Sequence, residues 1–269
     1  MTIQRKRVTS EAYEALVTPE TYPGGRFTPL QVGDRRGWII EPLEHADSRR
    51  RWLWIAPSGL GVPLPETGGQ VGHEFYIREV LANGFHVASV EIGLSLGNSA
   101  GVASYQHLYE ILVRDYDLNP KARFLAQSNG GLMCYNWAAR HPDCVDRILG
   151  IYPVADLRSW PGLEKACGTI PWEWPRAYDM SPAELAAHLG EFNPIEQLTP
   201  LANQGVRILH LHGDQDSPVP LEPNSGVLVL RYRELGGEAD LDIIAGLGHG
   251  PHPRFYASQS ALAFLLADN

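Results

Sequence analysis

Residues 123–141, RFLAQSNGGLMCYNWAARH, decide the fold. An apolar strand, Phe124-Leu125-Ala126, runs through Gln127-Ser128-Asn129-Gly130-Gly131 straight into a stretch of helical period. A serine at such a corner sits on strained backbone that lifts its hydroxyl above the sheet, while the helix N-terminus offers N–H groups and positive dipole. Both features favour negative charge near Ser128. Small residues two before and two after, Ala126 and Gly130, let strand and helix approach each other. The plainer interpretation of the same pattern is an ordinary strand-to-helix turn in which Ser128 caps the helix.

Outward from this corner, short apolar or β-branched runs alternate with longer stretches of helical period, the pattern of a mostly parallel sheet covered by helices. Strands are expected at Arg51 to Pro57, Phe85 to Val90, Arg123 to Gln127, Arg147 to Val154, Val206 to His212 and Ala239 to Ile244. Helices are expected at Gly72 to Asn83, Ser104 to Asp115, Asn129 to His141, Asn224 to Leu235 and Arg254 to Ala267. Asn83-Gly84, Pro142 and Gly236-Gly237 supply stop signals. Before the first of these strands, Gly33-Asp34 separates Arg26 to Val32 from Arg36 to Leu43, which reads as an antiparallel hairpin at the sheet edge. Only Asp156 to Thr199 breaks the rhythm. It carries Trp160, Trp172, Trp174 and Tyr178 among prolines, with one helical piece at Ser181 to Leu189, and reads as a cap inserted after a strand.

The chain has 269 residues, with 22 Lys+Arg against 31 Asp+Glu and a net charge of −9. A chain of this length buries roughly three quarters of the surface it exposes when unfolded, so one domain spanning 1–269 needs neither disulfides nor a metal. The acidic balance argues against nucleic acid, since counterion release needs clustered Lys and Arg and the one basic run, Arg49 to Arg51, is short. Cys134, Cys144 and Cys167 are too few and too unevenly spaced for a disulfide framework, which fits a reducing compartment. The N-terminus is polar and basic without an apolar core, and no apolar run approaches the ~18 residues of a membrane span, so a cytoplasmic protein without membrane attachment is expected.

A serine hydroxyl needs a base within reach and a group that orients the base. Downstream of Ser128, the strand Val206 to His212 ends in Gly213-Asp214-Gln215-Asp216-Ser217-Pro218-Val219-Pro220, and the next strand is followed by Gly246-Leu247-Gly248-His249-Gly250. With the 123–141 corner, these loops resemble the α/β-hydrolase family, with Ala126 standing where the family's Gly-x-Ser-x-Gly has its first glycine. The resemblance covers nearly the whole chain from the hairpin onward, and the C-terminal part also looks like the catalytic domain of prolyl-oligopeptidase relatives, which usually carry a propeller for which 269 residues leave no room. It implies Ser128 as nucleophile, His249 as base and Asp216 as acid, because the second Asp of the Gly-Asp-x-Asp pattern is the family's acid. Asp156 is the rival acid, at a position some members use. Asp214 would then cap its own turn.

The resemblance also implies an oxyanion hole made by the Asn129 N–H and a donor from the loop Pro57-Ser58-Gly59-Leu60-Gly61, with Ser58 and Gly59 as candidates. Gly93 to Asn98 follows another strand and could line the pocket at the sheet's C-terminal edge. Its glycine spacing is wrong for a dinucleotide fingerprint. Trp160, Trp172 and Trp174 offer flat faces for sugar rings or aromatic acyl groups, with packing of the cap as their competing role. Arg158 could meet a substrate carboxylate or hydroxyls, with a surface salt bridge as its plainer role. His210 and His212 share one strand face without a third metal ligand and are expected to be structural or loop-orienting. His73 with Glu74 is expected to start a surface helix.

The expectation is a cofactor-free serine hydrolase acting on a small-molecule ester of modest size, such as an acetylated sugar or metabolite, through an acyl-enzyme. Peptidase, amidase or lactonase activity on the same residues, and a ligand-binding receptor with little turnover, are the alternatives. A homodimer is the one assembly left open.

Overall fold

The computed structural model describes residues 24–56, 73–172 and 175–268. Among these, a hairpin of β1 (Gly25–Val32) and β2 (Arg35–Pro42) is followed by β3 (Trp52–Ala56), α1 (Glu74–Ala82), β4 (His86–Val90), α2 (Ser99–Asp115), β5 (Ala122–Gln127), α3 (Gly130–Arg140) and β6 (Val145–Ile151). After the insertion come α7 (Thr199–Asn203), β7 (Arg207–Gly213), α8 (Val227–Glu234), β8 (Ala239–Ile244), α9 (Pro253–Tyr256) and α10 (Gln259–Leu266). The described strands form one sheet in the order β1-β2-β4-β3-β5-β6-β7-β8. It is parallel from β4 to β8, and the expected hairpin lies antiparallel at one edge. This is the architecture of the α/β-hydrolase fold.

The continuous apolar runs arise because both faces of the sheet are covered. In β3, Trp52, Trp54 and Ala56 enter one apolar cluster, beneath α2, α3 and α8. Leu53 and Ile55 enter the other, beneath α1 and α10. Trp54 anchors the first, its ring 4.8 Å from Tyr105, 4.9 Å from Phe124 and 5.1 Å from Trp137. Two buried arginines tie down the C-terminal helix. Arg123 and Arg147 share Asp146, at 2.7 and 3.1 Å, and donate to the Leu265 and Phe264 carbonyls.

Several boundaries shift for local reasons. Helix α2 starts at Ser99, five residues before the expected Ser104, because the Asn98 side chain accepts the Gly101 N–H and caps it there. The expected helix from Arg254 to Ala267 is two helices, and Ser258 caps the second by accepting the Ala261 N–H. Strand β6 stops at Ile151, short of the expected Val154, where Tyr152 turns to a φ of 36°. Helix α8 is preceded by a π turn, Glu222–Gly226, whose last three residues fall in the expected helix.

The insertion holds α4 (Leu163–Ala166), α5 (Pro182–Ala187) and α6 (Leu189–Phe192). The helical piece expected at Ser181 to Leu189 is α5, opened by a capping box between Ser181 and Glu184, and it breaks at His188 before α6. Tyr178, Leu185 and Phe192 pack with Leu96, Leu132 and Val219 in an apolar cluster of their own. The Gly93 to Asn98 loop serves as a seat for this insertion: Leu96 accepts the Tyr178 hydroxyl at 2.8 Å, and the Asn98 amide donates to the Ala177 carbonyl at 2.6 Å.

Candidate active site

Ser128 stands between β5 and α3 with a φ of 50°, a left-handed conformation that a non-glycine residue keeps only when its surroundings hold it. Two backbone bonds do so. Ser128 N donates to the Ile151 carbonyl at 3.1 Å, and the Ser128 carbonyl accepts the Val154 N–H at 2.7 Å. Helix and neighbouring backbone also approach closely at Gly131, where a Cβ would stand 2.3 Å from the Val154 carbonyl oxygen, so the position next to Gly130 tolerates no side chain.

The Ser128 hydroxyl lies 3.0 Å from His249 Nε2, and His249 Nδ1 lies 2.8 Å from Asp216 Oδ2. The Asp216 side chain is fully buried, while that of His249 is 21% exposed, so solvent reaches the pair through the histidine. Burial would raise the Asp216 carboxyl, but hydrogen bonds from His212, His249 and the Val219 N–H outweigh it and bring it down to about 2. A carboxylate ionised near neutral pH keeps the hydrogen on Nδ1 and leaves Nε2 bare toward the hydroxyl. The arrangement can therefore accept a proton from Ser128 and return it.

The loops carrying Asp216 and His249 are fastened to one another. Gln215 N donates to the Leu247 carbonyl at 2.9 Å, and Gly246 N donates to Asp214 Oδ1 at 2.7 Å. Asp214 thus ties the acid loop to the histidine loop instead of capping its own turn as expected. Asp156, the rival acid, is engaged elsewhere. It accepts from Arg158 Nε at 2.9 Å and from Asn193 Nδ2 at 3.0 Å at the base of the insertion.

Arg158, a candidate for binding substrate, reaches Glu196 as well as Asp156, which is the salt-bridge role. Trp160 and Trp172 meet edge to face at 6.2 Å, and Trp160 packs on the insertion's apolar cluster. Ser58, Gly59 and Trp174 lie outside the described residues. Asn129 opens α3, where first-turn N–H groups have no intrahelical partner, which suits it to an oxyanion.

Other groups around the site gave no motif in the sequence. The Tyr152 ring lies 4.3 Å from that of His249, and its hydroxyl bonds to Tyr256 and accepts from Gln127. Tyr152 reaches this place because the chain turns sharply after β6, which strand periodicity does not reveal. His73 does stand at the start of α1, as its N-cap residue, but its side chain is 3% exposed and packs against Tyr256, so it belongs to the core and not to the surface. His252 caps α9 by accepting the Arg254 N–H. Among the described residues no group of three His, Cys, Asp or Glu side chains could hold a metal ion, and no helix is long and apolar enough to cross a membrane. A cleft of about 650 Å³ lined by Leu241, Asp242, Ile243 and Arg254 includes none of Ser128, Asp216 and His249.

Residues 124–267, more than half of the chain, match the family model described as Prolyl oligopeptidase family. No curated protein sequence matches the chain. Solved structures similar to it include a puromycin-hydrolysing peptidase of Mycobacterium tuberculosis, at 12% identity and a TM-score of 0.65 over 91% of this chain and 40% of that one. The acylaminoacyl peptidase of Pyrococcus horikoshii is similar at 17% identity and a TM-score of 0.62, over 89% and 41%. Carboxyl esterase 2 of Tuber melanosporum is similar at 15% identity and a TM-score of 0.61, over 93% and 85%. The chain thus spans less than half the length of these peptidases and most of the length of the esterase.

Proposed function

The chain belongs to the prolyl oligopeptidase family of serine hydrolases, and from that premise we propose that it cleaves small carboxylic esters through an acyl-enzyme on Ser128. The observation that carries this reading is the run of contacts from Ser128 Oγ to His249 Nε2, 3.0 Å, and from His249 Nδ1 to Asp216 Oδ2, 2.8 Å. His249 takes the hydroxyl proton as Ser128 Oγ attacks the ester carbonyl, and the tetrahedral oxyanion accepts the Asn129 N–H. The carbon–oxygen bond to the leaving alcohol then breaks, and His249 protonates the departing oxygen. Water, deprotonated by the same histidine, then attacks the acyl-enzyme, the bond from the acyl carbon to Ser128 Oγ breaks, and His249 returns the proton to Oγ as the acid leaves.

Ester cleavage is favoured by the likeness to an esterase of similar length. Peptide or amide cleavage is the second reading, favoured by the family and by the peptidases among the similar folds. The same histidine could protonate an amine, so the substrate panel decides. Purified protein should be labelled at Ser128 by a fluorophosphonate and should hydrolyse p-nitrophenyl acetate or an acetylated sugar far faster than aminoacyl p-nitroanilides. Comparable kcat/KM on the anilides would overturn the ester assignment. Near-wild-type turnover by Ser128→Ala would overturn the mechanism, because loss of such a nucleophile commonly costs ~10⁴ to 10⁶ in kcat.

A further inference from the structure

Buried polar groups need partners, and one run of them reaches Asp216 independently of His249. Tyr135 Oη lies 2.7 Å from His210 Nε2, and His210 Nδ1 lies 2.9 Å from Ser225 Oγ. Ser225 Oγ lies 2.8 Å from His212 Nδ1. His212 Nε2 lies 2.9 Å from the Val219 carbonyl oxygen and 3.5 Å from Asp216 Oδ2. All four side chains are buried, and they link α3, β7, the π turn and the acid loop.

Elimination places each hydrogen. Both neighbours of His212 Nε2, a carbonyl and an ionised carboxylate, only accept, so this nitrogen carries the hydrogen. In a neutral ring Nδ1 is then bare, and the Ser225 hydroxyl donates to it. The Ser225 oxygen in turn accepts from His210 Nδ1–H, which leaves His210 Nε2 to take the Tyr135 hydrogen. Burial holds His210 down to about 3, so its ring is neutral. The two histidines, two apart in one strand, carry their hydrogens on opposite nitrogens.

We propose that His212 is a positioning residue for Asp216, and that the Tyr135–His210–Ser225 chain locks His212 with an N–H, never a lone pair, toward the acid loop. The proposal rests on Asp216 being the acid partner of His249. His212 acts in two ways. It pins the Val219 carbonyl, and Val219 N donates to Asp216 Oδ1 at 2.9 Å, so the carboxylate cannot rotate away from His249. Its N–H also draws charge from Oδ2, the oxygen that His249 shares. Without it, Oδ2 holds the imidazolium of His249 more strongly, and the base should become harder to deprotonate.

The other titratable groups facing these residues are Tyr152, beside His249, and Cys134 and Tyr232, near Tyr135. Burial pushes all three up, so they are uncharged near neutral pH.

The direct test is two-bond ¹H–¹⁵N correlation on histidine-labelled protein between about pH 5 and pH 8, with assignment through Tyr135→Phe and Ser225→Ala. It should find His210 as the neutral Nδ1–H tautomer and His212 with its hydrogen on Nε2. A His210 hydrogen on Nε2, or a His212 Nε2 without one, would overturn the lock. Kinetics on p-nitrophenyl acetate supply the second test. His212→Leu should lower kcat about tenfold and move the acid limb of kcat/KM up by about half a pH unit, and His212→Gln, which keeps a donor, should restore the limb. A lower kcat with an unmoved limb would reduce His212 to a packing residue and overturn the positioning role. If His212→Leu does not fold, comparison of His212→Gln with wild type and the tautomer spectra decide. A fully active Asp216→Asn enzyme with the tautomer pattern intact would instead remove Asp216 from the mechanism.

Discussion

A Cβ on Gly213 would stand 2.1 Å from the Leu247 carbonyl oxygen. The end of β7, which leads to Asp216, therefore lies directly against the backbone that leads to His249, and the distance between acid and base is set by a backbone contact that tolerates no side chain. Gly213→Ala must push these loops apart. Since a misplacement of about 1 Å can cost about a hundredfold in rate, kcat/KM on an ester should fall by at least that much. Circular dichroism should still show a folded protein. Unchanged kinetics would mean that the loops adjust independently.

The two aspartates that compete for the role of acid should separate cleanly. Asp216→Asn is expected to lower kcat on the order of 10⁴, because an amide cannot hold the His249 tautomer and its imidazolium as a carboxylate does. Asp156→Asn should leave kcat within a few-fold and lower stability by about 1–3 kcal/mol, because it weakens the hold on Arg158 and Asn193 under the insertion. Paired kinetics and urea titrations check both halves.

Acid should destabilise the fold in two stages. Burial holds His73 and His86 down to about 4 and His210 down to about 3, against about 6.5 for a free histidine. Between those values the unfolded chain binds protons that the folded protein refuses. Their contribution is complete above about pH 6.5 and is lost as the pH falls toward 4 and 3. Asp216, at about 2 when folded, has the same sign lower down, being stabilising above about pH 4 and losing that effect as the pH falls through 2. The urea midpoint should drop steadily between pH 7 and pH 4. A flat profile would contradict neutral buried histidines.

Trp54 allows a sharper test of the core than truncation alone. Its indole nitrogen is buried without a hydrogen-bond partner among four aromatic neighbours. Trp54→Phe removes that stranded donor along with some volume, so its cost should be far below the ~3–5 kcal/mol expected of Trp54→Ala. Equal losses in thermal unfolding would show that volume alone governs the site.

Much of the fold and the outline of the site were legible in the sequence. The alternation of apolar runs with helical period announced a covered parallel sheet, and Gly33-Asp34 announced the edge hairpin, because both patterns follow from local geometry. The corner at Ser128 and the loops holding Asp216 and His249 were legible for the same reason, each being a short segment with its own turn chemistry. Helix starts at Ser99 and Gln259 were missed where a single side chain, Asn98 or Ser258, outweighed the apolar period.

The sequence by itself determined which elements form, their order along the chain and the residue types brought to the sheet's C-terminal edge, since these depend on propensity and period within a few residues. Only the tertiary structure decided that Asp156 is spent on Arg158 and Asn193, that Asp214 fastens Gly246, that Gly213 must be bare beneath Leu247, and that Ser225 joins His210 to His212. Apart from the short reach of Arg158 to Asp156, each of these is a contact between segments separated along the chain. Its hydrogen-bond partner or steric limit comes from the other segment and leaves no periodic mark in its own.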